Sequence, residues 1–166
     1  TPLYTINQTS LKMCYLNARS LHKHIQDVRK DFNFTSADVV IFSETRFSQF
    51  DDDNMYSIDG FQLFRNDGDM LHHSNGRPYG STDVYSKVPF VEGYPYRRNI
   101  NGIEFTIVKI TTRQELTIIG IYRSPRVAGG LLCSALVDVT GRDTCDQNVI
   151  VGDFNIDWMS ESQRQP

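Results

Sequence analysis

Val149-Ile150-Val151-Gly152-Asp153-Phe154-Asn155-Ile156-Asp157-Trp158 is the stretch around which the chain is organised. It opens with a short apolar β-branched run ending at a glycine, which reads as a fully buried strand rather than a turn of helix. Gly152 permits a tight backbone path. On an extended backbone, residues two apart point the same way, so Asp153 and Asn155 face one cleft while Phe154 anchors in the core. A carboxylate and a carboxamide at a rigid strand end suit phosphate chemistry. The carboxylate binds a hard cation or deprotonates water, and the amide holds an attacking oxygen in line. The same two residue types also suit a plain turn after a strand.

The pattern recurs upstream. Leu11 to Leu16 reads as a first strand stopping at Asn17. Ser20 stands as N-cap of a helix running to about Phe32, with Leu21, Ile25 and Val28 as its apolar stripe. Asp38 to Phe42 is a second buried strand, ending at Ser43-Glu44-Thr45-Arg46. Ile103 to Ile110 and Leu116 to Tyr122 form the clearest strand pair, an antiparallel hairpin through Arg113-Gln114-Glu115. Tyr122 ends that pair, and its hydroxyl can donate to a phosphate oxygen. Phe61 to Phe64 is a short strand, and Arg77 to Ser86 is a turn entering another. Leu131 to Val139 is a short helix leading into the strand before Gly152. Several strands stopping at polar groups are what a cleft along the carboxyl edge of a sheet requires.

Other clusters carry less. Asp51-Asp52-Asp53-Asn54 lacks the alternation and the late Glu of a calcium loop, so it reads as surface. His72 and His73 are adjacent, point apart on an extended chain, and read as loop residues. The basic residues Lys12, Arg19, Lys23, Arg46, Arg97, Arg98, Arg123 and Arg126 are scattered, so only folding gathers them.

Composition sets the frame. The chain has 166 residues, enough for one domain with a real core, here residues 11–166 after a polar lead-in at 1–10. No run approaches the ~20 apolar residues of a membrane-spanning helix, so no membrane partner is expected. The three cysteines are odd in number and lack a CxxC spacing, which favours a reducing intracellular compartment over zinc or disulfides. Cys14, inside an apolar pattern, reads as a buried thiol. The chain begins at Thr1 with no signal-peptide pattern, consistent with a piece of a longer, non-secreted protein.

Four motifs in order carry a family resemblance: Leu-Asn-Ala-Arg-Ser-Leu at 16–21, Ser-Glu-Thr-Arg at 43–46, Tyr-Arg-Ser-Pro at 122–125 and Gly-Asp-Phe-Asn at 152–155. They resemble the endonuclease/exonuclease/phosphatase superfamily. With Arg-Pro-Tyr-Gly at 77–80, the spelling is most similar to endonuclease domains of retrotransposon-type mobile elements. The resemblance spans about residues 11–158. It implies an α/β fold: a four-layer α/β sandwich of two mixed β-sheets flanked by helices, with the C-terminal part of the domain missing. It implies a divalent-metal-dependent phosphodiesterase using magnesium or manganese, DNA as substrate, no obligate protein partner, and a nuclear location.

Residue by residue, the resemblance makes Glu44 the principal metal carboxylate and Asn17 its supporting amide. Tyr122 contacts the scissile phosphate, Asp153 activates or orients water, and Asn155 is its partner. Arg46 and Arg123 are the substrate-binding candidates, with Arg97 and Arg98 as further basic residues. Two departures stand out. Relatives finish with a Ser-Asp-His strand end, and nothing after Asn155 supplies one; His22, His24, His72 and His73 all lie upstream. Ser81 and Asp83 stand where relatives carry a glycine and a small or apolar residue, which marks either a decayed copy or an Asp83 that faces solvent. Two alternatives follow: an inactive remnant or nucleic-acid-binding fragment, or a phosphatase or RNA-directed member of the same superfamily. The chain alone is expected to be inactive.

Overall fold

β-branched and aromatic runs that break at polar residues fold here into two stacked sheets. The computed structural model describes residues 10–67, 80–143 and 147–156; His72, His73, Cys145 and most of the Arg77–Gly80 motif lie outside them. The elements are β1 (Met13–Asn17), α1 (Leu21–Lys30), α2 (Phe32–Thr35), β2 (Val39–Ser43), β3 (Gln62–Phe64), β4 (Thr82–Ser86), β5 (Tyr96–Ile100), β6 (Ile103–Thr111), β7 (Glu115–Arg123), α3 (Gly130–Asp143) and β8 (Gln147–Asp153). One sheet has the order β1-β2-β4-β3 and the other β5-β6-β7-β8. Each is mixed: β1 runs parallel to β2, and β7 parallel to β8, while the remaining pairs are antiparallel.

Strand alternation sorts the apolar side chains into three cores. Val40, Phe42 and Tyr85 face outward and bury against Leu21, Ile25 and Val28, the expected stripe of α1. Val39, Ile41 and Val84 face inward against Val108, Ile110 and Ile118 of the second sheet. Ile103, Phe105, Ile107, Ile119 and Ile121 face out again, onto Leu132, Ala135 and Val139 of α3. The result is helix, sheet, sheet, helix, the four-layer sandwich. Each fully buried aliphatic or aromatic side chain contributes about 1.5–3 kcal/mol to holding it. No helix among the described residues is long and apolar enough to cross a membrane.

Several local expectations give way to tertiary structure. β8 is an edge strand, not a fully buried one, and Ile150 is 39% exposed. Gly152 matters for a different reason than a turn: a Cβ there would lie 2.0 Å from the Ile121 carbonyl oxygen of β7. Ser20 precedes α1 but its side chain makes no cap. Instead the backbone N–H groups of Ala18, Ser20 and Leu21 donate to the carbonyls of Ser43, Glu44 and Thr45, so the chain after β2 satisfies the helix entry. The acidic stretch folds into a short 3₁₀ helix at Asp53–Tyr56. Arg65 ties it down by donating to Asp53 and to the Ser48 and Asp51 carbonyls, and it also pairs with Asp67 at 2.9 Å. Cys14 is half-buried, its thiol donating to the Asn33 carbonyl at 3.4 Å. Cys133 is exposed.

Asp83 is fully buried rather than solvent-facing. It projects from β4 to the α1 side, where its Oδ1 accepts the Asn66 N–H at 2.8 Å. Oδ2 lacks a well-formed hydrogen bond, although the Thr45 hydroxyl is close by. Burial pushes its pKa up to about 7, against the pull of Thr45 and the Asn66 N–H. The folded chain therefore holds a proton that the unfolded chain releases near the ordinary value of 3.8. Stability from this group is present at acid pH and lost as pH rises through about 7. Asp83→Asn keeps the acceptor and removes the charge. In urea unfolding it is expected to exceed the wild type by about 2–4 kcal/mol at pH 8, with the gain vanishing near pH 4. An equal difference at both pH values contradicts this account.

Candidate functional site

The carboxyl ends of β1, β2, β7 and β8 and the amino ends of β4 and β6 meet along one edge of the sandwich. Asn17 ends β1 and sits in register with Ser43, the last residue of β2. Its carboxamide nitrogen donates to Glu44 Oε1 at 2.9 Å and to Asp153 Oδ2 at 2.8 Å. One amide from the first strand thus holds a carboxylate from each sheet. Tyr15, one pleat below, bonds the Ser43 hydroxyl at 2.8 Å, and burial together with Asp153 and Glu44 raises its pKa.

The second sheet presents a polar row. Asn99, Glu104, Tyr122 and Asp153 are successive register partners across β5, β6, β7 and β8. Their alternation, shared with Thr106, Val108, Ile118 and Val151, aims the row at the first sheet. Tyr122 is 7% exposed and its phenol pKa is pushed up to about 12, chiefly by burial and then by Glu44, Glu104 and Asp153, with Arg46 opposing. A phenol so placed stays protonated at neutral pH and serves as a hydrogen-bond donor. Arg46 is half-buried on this edge and close enough to act on that phenol.

Asn155 departs from the extended backbone expected of it. It adopts φ 47°, its N–H donates to Asp153 Oδ1 at 3.1 Å, and its side-chain amide donates to the Arg123 carbonyl at 2.7 Å. Gly-Asp-Phe-Asn does form the turn that its residue types suit: Asp153 closes it with one oxygen and meets Asn17 with the other. Phe154 packs toward the α3 core as expected. Arg123 points inward. It is 2% exposed, and its guanidinium donates to the carbonyls of Phe154, Asn155 and Val127. It fixes the turn that bears Asn155 and is not turned toward a ligand.

Backbone strain concentrates on the same edge. Seven described non-glycine residues have positive φ, and Arg19, Ser20, Glu44, Arg46, Ser81 and Asn155 among them belong to these turns. Such conformations cost of order 1–3 kcal/mol each and persist where surrounding structure fixes them, most often at functional sites. The sequence shows none of this, because glycine is the residue that advertises left-handed backbone. Glu104 was likewise invisible in the sequence: it is one charged residue in an alternating strand, and only register puts it beside Tyr122. His22, on α1, supports the Arg46 turn from beneath, its Nε2 3.1 Å from the Arg46 carbonyl and its ring edge-on to Phe47. Arg97 and Arg98 lie to one side, lining with Asn66, Asp67, Asn99 and Glu104 a shallow cleft of about 160 Å³.

The donors on this edge are carboxylate and amide oxygens, which suit a hard divalent cation such as magnesium or manganese. Glu44 is the best placed to hold one, beside Asn17 and Asp153. Among the described residues no group of three or more His, Cys, Asp and Glu converges on one point. A cation here would keep most of its waters.

No protein-family model matches the sequence. No curated protein matches it either. Solved structures do. An AP endonuclease from Archaeoglobus fulgidus matches with TM-score 0.62 at 12% identity, over 89% of this chain and 58% of that one. The endonuclease domain of TRAS1, a telomere-specific non-LTR retrotransposon, matches with TM-score 0.62 at 15% identity, over 90% of this chain and 62% of that one. An endonuclease/exonuclease/phosphatase from Beutenbergia cavernae matches with TM-score 0.60 at 14% identity, over 93% and 49%. The chain has the fold of the endonuclease/exonuclease/phosphatase superfamily and spans about three-fifths of the first two structures.

The Arg123 geometry yields a direct test. Arg123→Met leaves three carbonyls without their charged donor and is expected to cost about 3 kcal/mol in urea unfolding. A loss below about 0.5 kcal/mol contradicts its role as a clamp on the Phe154–Asn155 turn.

Proposed function

We propose that this edge is the catalytic face of a divalent-cation-dependent phosphodiesterase, and that its substrate is DNA cut endonucleolytically in the manner of mobile-element enzymes. The observation that carries the reading is the Asn17 carboxamide, which holds Glu44 and Asp153 together from opposite sheets beside the Tyr122 phenol. The four sequence motifs and the likeness in fold to the TRAS1 endonuclease domain support the mobile-element assignment, and with it a nuclear site of action.

Glu44, with Asn17 beside it, would hold the magnesium or manganese ion. When bound, the cation neutralises charge building on the phosphate and leaving oxygens. Asp153 accepts a proton from the attacking water, and Asn155 keeps that water in line with phosphorus. Tyr122 donates its phenolic hydrogen to a non-bridging phosphate oxygen. Arg46 adds positive charge on the same edge. Arg123 acts by holding the Asn155 turn.

A second reading has its own support. The convergent carboxylates among the described residues are few, and the chain spans 58–62% of the first matched structures. On that reading these residues alone bind nucleic acid without cutting it. Plasmid nicking separates the two. The chain, and the longest natural protein that contains it, are incubated with supercoiled DNA and magnesium, with and without chelator. Nicking is expected from the longer protein, abolished by chelation and lowered at least about 100-fold by Glu44→Gln or Asp153→Asn. A folded longer protein that nicks under no metal condition contradicts the endonuclease reading.

A further inference from the structure

Ser81 and Asp83 depart from the family pattern, and their partners in the fold give that departure a meaning. Ser81 is fully buried and holds φ 72°, a conformation that favours glycine. Every polar group it has is used. Its carbonyl accepts the Glu44 N–H at 3.0 Å. Its hydroxyl pairs with the Thr45 hydroxyl at 2.5 Å and accepts the Arg46 N–H at 3.3 Å. Its own N–H donates to Glu104 Oε2 at 2.8 Å. The turn that carries Glu44 and Arg46 hangs from one serine, and that serine hangs from a carboxylate of the opposite sheet.

Glu104 is well built for this. It is the second residue of β6, in register with Tyr122, and Thr106 two residues on donates to the Thr82 carbonyl at 2.7 Å, so a second cross-sheet bond fixes its strand. Gly80 leaves room for the carboxylate: a Cβ there would lie 2.7 Å from Glu104 Oε1. Asp83 lies beneath the same turn, beside Thr45. Glycine at position 81 would keep the backbone path but lose both hydroxyl bonds to the turn.

We infer that Glu104 is a positioning residue of this site, which sets the Glu44–Arg46 turn through Ser81 and across the gap between the sheets. The functional meaning rests on the phosphodiesterase reading; the mechanical coupling does not. The departure at Ser81 is then part of this device rather than decay. Glu104 also raises the Tyr122 phenol pKa, so the same carboxylate acts on both walls of the site.

The test reads amide hydrogen exchange on the 166-residue chain without metal or substrate, so it can fail while the phosphodiesterase reading stands. In Glu104→Ala, the N–H groups of Ser81, Glu44 and Arg46 are expected to exchange at least about tenfold faster, with Ile119 in the core unchanged. Glu104→Gln keeps an acceptor for Ser81 and should restore near wild-type protection at all three. If Glu104→Ala does not fold, Ser81→Gly serves instead: Arg46 exchanges faster while the residue-81 amide, still bonded to Glu104, stays protected. The inference is overturned if the turn amides are unaffected, or if core amides accelerate equally.

Discussion

A single carboxamide, that of Asn17, is the interaction on which the working edge of this molecule depends. Two carboxylates in adjacent turns repel each other unless something between them offers hydrogens. The Asn17 nitrogen offers one to Glu44 and one to Asp153. Because Glu44 follows the first sheet and Asp153 ends the second, the same bonds also close the sandwich at its polar edge. Below lies an apolar layer of Val39, Ile41, Val84, Val108, Ile110 and Ile118. The fold can therefore be seen as a dry wedge that holds a charged rim at fixed spacing.

The rim is held from several directions at once. The turn after β2 gives its carbonyls to the entry of α1 and donates its Glu44 and Arg46 N–H groups to Ser81. The turn after β8 is gripped by Arg123. Left-handed backbone other than glycine survives at Glu44, Arg46, Ser81 and Asn155, each fixed by more than one partner. This redundancy keeps Glu44, Arg46, Asp153 and Asn155 placed without a rigid secondary element beneath every one of them.

Much of this was legible in the sequence. The strands announce themselves as short apolar runs, and the stripe of Leu21, Ile25 and Val28 fixes the buried face of α1. Asn17, Glu44, Tyr122 and Asp153 stand out because each stops such a run at a polar group. What was not legible depends on pairing. β8 reads as buried from its composition but lies at a sheet edge. Ser20 looks like a cap until Thr45 takes over the Leu21 N–H. Arg123 looks like a substrate-binding cation until three carbonyls claim it. Glu104 becomes visible only once β6 and β7 are aligned. Local pattern sets the elements; tertiary hydrogen bonds decide which polar groups face the cleft.

The meeting of Asn17, Glu44 and Asp153 is where the hard cation is proposed to bind. The most direct measurement is manganese titration of the isotopically labelled chain, following paramagnetic broadening of each amide resonance. Signals of the Asn17 side chain, Glu44, Tyr122, Asp153 and Asn155 are predicted to vanish first, with those of Asp51 to Asp53 and Asp67 retained. Broadening centred on Asp51 to Asp53, or spread evenly over the surface acids, would contradict it.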